Sequence, residues 1–89
     1  MNDKTTPEAV AFRKASAEFA ACRDALLDSA LATADADDAD LCGDGFEAAM
    51  DAQVEAARQY RVANDRQKAA FGRYRQAEHR RRQAAKETP

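Results

Sequence analysis

Few side chains in this sequence have the types and spacing that catalysis or metal binding requires. His79 is the sole histidine, and it lies far along the chain from the only cysteines, Cys22 and Cys42. A zinc site draws on about four clustered His, Cys or carboxylate ligands, so a lone histidine inside an arginine run reads as a surface residue. Cys42, beside Gly43, would act as a nucleophile only with a neighbouring base. The acidic residues around it raise a thiol's pKa rather than lower it. There is no glycine-rich phosphate loop and no nucleophile elbow. The reading is non-enzymatic, with no cofactor, no metal and no small-molecule substrate.

Residues 40–51 echo a calcium-binding loop, with Asp40, Asp44, Gly45 and Asp51 at its first, fifth, sixth and last places. The echo fails where it matters. Cys42 stands at the third place, Glu47 replaces the usual apolar residue at the eighth, and Asp51 is shorter than the bidentate Glu that closes such loops. The same stretch is better described by its charge. Residues 35–51 hold Asp35, Asp37, Asp38, Asp40, Asp44, Glu47 and Asp51 and no Lys or Arg. Residues 73–86 hold Arg73, Arg75, Arg80, Arg81, Arg82 and Lys86 against Glu78 alone. The formal net charge of −2 hides this sorting.

Each field has a chemistry. Arg61, Lys68, Arg75 and Arg82 repeat every seven residues, as do Arg66, Arg73 and Arg80, with Tyr60, Phe71 and Tyr74 between the rows. Arginine beside aromatics grips phosphates and stacks on bases. Nucleic-acid or nucleoprotein binding through Arg73, Arg75, Arg80, Arg81 and Arg82 is therefore one alternative, although a sequence pI near 5.3 does not suit a dedicated nucleic-acid binder. The acidic residues Asp35, Asp37, Asp38, Asp40 and Asp44 offer another: a phosphate mimic that occupies a basic cleft on a partner, as small phage-encoded inhibitors of defence nucleases do. The plain reading of both fields is a solvated surface.

The elements that would carry these residues are helices. Proline occurs only at positions 7 and 89, and glycine only at 43, 45 and 72, in a chain rich in Ala, Arg, Gln and Glu, which favour helix. Thr5 and Glu8 have capping-box spacing, and Pro7 suits a first helical turn. Phe12, Ala15, Phe19, Cys22 and Leu26 then recur at steps of three and four. Leu27, Ala30, Leu31 and Ala34 continue the stripe with helical drift. This predicts a first helix over about 7–34, an acidic hinge over 35–43, and a second helix over about 44–86. Asp44 opens the second helix with Glu47 three residues on. Along it Phe46, Met50, Ala57, Tyr60, Phe71 and Tyr74 form a heptad seam flanked by Val54, interrupted by Gln53, Asn64 and Gln67. Polar seam residues weaken packing but fix register.

A short connection between two long helices makes an antiparallel hairpin. The fold class is all-α, a coiled-coil-like two-helix hairpin forming one domain over 1–89. Residues from about Arg75 onward should overhang the start of the first helix. Hairpin length, the central Leu41-Cys42-Gly43 and the later Tyr74-Arg75-Gln76-Ala77-Glu78 resemble the Trp-x-Gly helical hairpins of type VII secretion. Those carry Trp-x-Gly in the turn and Tyr-x-x-x-Asp/Glu after the second helix. Here the tryptophan is absent and the tyrosine motif lies inside a basic helix, so the resemblance is one of architecture.

Size then points outward. Of the 40 apolar residues that make up 45% of the chain, 23 are alanine, and alanine removes little area from water. So short a chain commonly gains its missing burial by association. The expected function is a small protein–protein interaction module with adaptor, assembly or regulatory character. It would act through Phe12, Phe19, Leu26, Met50, Tyr60, Phe71 and Tyr74, and pair as a homodimer into a four-helix bundle. No run approaches the roughly 20 apolar residues of a membrane span, and no apolar signal core is present. Two unpaired thiols suit a reducing, cytoplasmic compartment.

Overall fold

The computed structural model describes residues 6–38 and 43–87. It consists of two long helices, α1 (Pro7–Asp38) and α2 (Asp44–Glu87), with no strand among the described residues. They lie side by side in a rod of 72 × 17 × 15 Å. The expectations placed on Thr5, Asp40, Leu41 and Cys42 fall outside the described residues.

The start of α1 is set by Thr6. The Ala9 amide donates to the Thr6 side-chain hydroxyl at 3.2 Å, and the Val10 amide donates to the Thr6 carbonyl at 3.0 Å. Thr6 is therefore the N-cap, with Pro7 at the first helical position, where its missing N–H costs nothing. The other end runs four residues beyond Ala34. Ala36 is buried, one heptad after Ser29 and on the row that holds Ala15 and Cys22. Asp35 and Asp37 flank it and stay exposed. The helix thus extends its packed row while the carboxylates remain hydrated, and that outweighs the weak helix preference of Asp.

Gly43 occupies the cap position of α2, its carbonyl accepting from the Glu47 amide at 3.0 Å. Its φ of 103° lies in a region that side chains with a Cβ rarely enter, so glycine suits the sharp entry to the helix. Asp44 and Glu47 then fall in the first turn, where carboxylates complement the helix dipole. Gly72 remains helical and exposed, a tolerated breaker.

Antiparallel packing follows from the contacts. Phe12 meets Phe71 and Tyr74, with ring centroids 5.2 and 5.8 Å apart, and Phe19 meets Tyr60 at 5.1 Å. Two polar bonds cross the same seam. Gln67 Nε2 donates to Ser16 Oγ at 3.1 Å, which satisfies one of the polar seam residues and pins the register. Near the hinge, the Thr33 hydroxyl donates to the Ser29 carbonyl at 2.9 Å and lies 3.2 Å from the Ala49 carbonyl of α2.

What the hairpin lacks is a large-residue core. Among the described residues the buried apolar ones are Ala9, Ala15, Ala36, Ala63 and Ala70, and no large side chain is fully buried. Two facing helices shield only a narrow stripe of each other, so the aromatic rings are half-covered and the alanines between them are sealed.

Candidate interaction surfaces

The seam residues come together as pairs within the chain. Phe12, Phe19, Leu26, Tyr60 and Tyr74 are half-buried along the line between the helices. Met50 and Phe71 stand further out, at 40% and 43% exposure. Most of this seam is thus occupied by the other arm of the hairpin, and its outer edge is left to solvent.

Beyond the seam, the exposed large apolar residues are Val10, Leu27, Leu31, Val54 and Val62, together with Met50 and Phe71. Leu27, Leu31 and Val54 are 57%, 64% and 63% exposed. The helical period assigns Leu27 and Leu31 to the inner stripe. Their exposure depends on the rotation of α1 against α2, which no single-helix pattern carries.

The rod has two broad faces. On one, Glu18 and Cys22 of α1 and Arg58, Gln59, Val62, Ala63 and Arg66 of α2 line a shallow groove. Arg58 is held there by Glu55, which accepts from Nε at 3.0 Å and from Nη2 at 2.6 Å. Gln59 Nε2 adds a bond to the same carboxylate at 3.2 Å. The Arg58 hydrogen bonds, then the Gln59 bond, pull the Glu55 carboxyl down from 4.5 to about 2. This fork lies on solvent and fixes a side chain rather than a ligand. The opposite face carries a groove of Phe12, Gln67, Lys68 and Phe71.

Tyr74 packs on Phe12, and Ala77, Glu78 and Arg81 remain half-buried, so the fully exposed run begins at Arg82. Arg73, Arg75, Arg80 and Arg82 are exposed. The Arg75 guanidinium sits 5.8 Å from the Phe71 ring centroid, and Arg82 pairs with Glu78 at 2.9 Å, one turn apart. Arg75, Gln76, His79 and Arg80 line a shallow concavity.

At the acidic end, Asp35 and Asp37 are exposed on the last turns of α1, Asp38 closes that helix, and Asp44 is exposed on the first turn of α2. Asp40 lies outside the described residues. Among the described residues no His, Cys, Asp and Glu side chains gather into a group that could hold a metal ion. Among the described residues no helix is long and apolar enough to cross a membrane. The Cys22 thiol is unpaired and half-buried.

Fold and surfaces together define the chain as an all-α helical hairpin with an aromatic seam, open apolar edges and sorted charge. No family model matches the sequence, and no curated protein or solved structure matches it.

Proposed function

We propose that this chain is a non-enzymatic protein–protein interaction module, an assembly or adaptor element whose hairpin pairs with a second copy into a four-helix bundle. One observation carries the reading: among the described residues no large side chain is fully buried, while seven large apolar side chains are 38–64% exposed. A hairpin this thin leaves hydrophobic stabilisation unused, and association is the usual way to recover it. The surface area supports the same view. The chain exposes 6736 Å², against about 5,100 Å² for a compact protein of this mass.

Sedimentation velocity across a dilution series tests this directly. A dimer at micromolar concentration is expected, with a thermal midpoint that rises with protomer concentration, because association stabilises by mass action. A monomer with a concentration-independent midpoint would refute the reading.

A second reading rests on the basic end. Arg75 and Arg80 share a concavity with Gln76 and His79, and residues 82–87 are exposed without interruption. That geometry suits a phosphate-bearing partner, including nucleic acid. Labelled DNA and RNA retarded at low salt, with the effect abolished by changing Arg75, Arg80 and Arg82 to Glu, would support it. Unchanged mobility would remove it.

A further inference from the structure

The exposed apolar residues outside the seam share one face of the rod. At ~100° per residue, Leu27 stands about 140° around α1 from Cys22 and about 160° from Ala25. Val54 stands about 140° around α2 from Gln59 and about 160° from Ala52. Cys22, Ala25, Ala52 and Gln59 line one groove together, so Leu27 and Val54 both point to the opposite face. Leu31 and Met50 each lie one turn closer to the hinge.

They are also level along the rod. The Phe19–Tyr60 contact and the Thr33–Ala49 approach bracket the register and set Leu27 opposite Val54 and Leu31 opposite Met50. The four therefore form one contiguous patch in the hinge half of the hairpin, 40–64% exposed.

The charges beside the patch select its occupant. Glu47, Val54 and Arg61 are spaced by seven residues and occupy one row of α2, with Glu47 and Arg61 both exposed. An acid and a base thus flank Val54 at equal distances. Two copies related by a two-fold axis near Val54, with their α2 helices antiparallel, bring Glu47 of each against Arg61 of the other. This is the self-complementarity that an isologous contact requires. A parallel pairing would set hinge against hinge, acid facing acid, and base facing base.

We infer that the face bearing Leu27, Leu31, Met50 and Val54 is the homodimer surface and that the two hairpins meet antiparallel across it, locked by reciprocal Glu47–Arg61 pairs. The inference rests on the proposed self-association and adds its surface and orientation.

Four variants, compared with wild type by sedimentation velocity under reducing conditions, test it: Leu27→Asp, Glu47→Arg, Arg61→Glu and the double Glu47→Arg/Arg61→Glu. All three positions are exposed, so each variant should keep the wild-type helical circular dichroism. Leu27→Asp is expected to abolish the dimer. Each single charge reversal replaces two attractive pairs by two repulsive ones and should weaken dimerisation by about ten-fold at low salt. The double variant should recover most of that loss. A dimer untouched by Leu27→Asp would overturn the surface while leaving self-association standing. A dimer that Leu27→Asp dissociates, but whose double charge variant is no stronger than the singles, would overturn the antiparallel orientation. A wild-type monomer would overturn the self-association reading itself.

Discussion

Phe12 is the residue on which the open end of the hairpin depends, and replacing it with Ala gives the sharpest test of the packing account. Its ring touches both Phe71 and Tyr74, and among the described residues no other ring–ring contact lies toward the open end. A fully buried Phe→Ala change costs about 3–5 kcal/mol, and aromatic pairs add ~0.5–1.5 kcal/mol beyond their area. Because Phe12 is half-buried, about half the core value applies, ~2 kcal/mol. In a chain of this size that should lower the thermal midpoint by about 10 °C. The assay is circular dichroism melting at one fixed protomer concentration, since association shifts the midpoint. Val10→Ala is the control: Val10 is a neighbour on the same helix, 52% exposed, and its loss should stay within ~0.5 kcal/mol. If Phe12→Ala shifted the midpoint no more than Val10→Ala, the aromatic cluster would not be holding the arms together.

The two described glycines with open space around them should respond with opposite signs. An added Cβ at Gly72 meets nothing within 4 Å, so Gly72→Ala should stabilise by ~0.5–1 kcal/mol through helix propensity. Gly43 is equally uncrowded but has a φ of 103°, so Gly43→Ala should cost ~1–2 kcal/mol in backbone strain. Denaturant melts showing the same sign for both would contradict the assignment of Gly43 to the cap. Glu55 should titrate near 2 rather than 4.5, held down chiefly by Arg58. A folded-state pKa below the unfolded value contributes stability that is present above pH 4.5 and lost as pH falls toward 2. Carbon-13 NMR of the Glu55 carboxyl checks this, and Arg58→Ala should return its midpoint toward 4.5.

Much of the seam is readable from spacing alone. Phe12, Phe19, Tyr60 and Tyr74 fall on heptad-like rows, and a sparse set of breakers leaves room for two long helices and one turn. Their pairing across the rod follows once the arms fold back. Less readable were the ends. The cap at Thr6 is defined by hydrogen-bond geometry, which residue spacing does not carry. Asp35 and Asp37 look like breakers, but Ala36 lies on the packed row and carries the helix past them.

The open apolar face marks the same boundary. Periodicity places Leu27 and Leu31 with the inner stripe, since a helix pattern records only angles around one axis. A single neighbouring helix covers a stripe narrower than that pattern. Which side chains remain outside it is set by the rotation and register of the pair. By itself the sequence determined helices, a hinge, an aromatic seam and the separation of acid from base, because all of these are local in the chain. The tertiary structure alone decided that Leu27, Leu31, Met50 and Val54 share one exposed face, and that Ser16–Gln67 and Thr33–Ala49 fasten the arms. Burial and cross-helix bonding belong to pairs of helices, and no one helix encodes them.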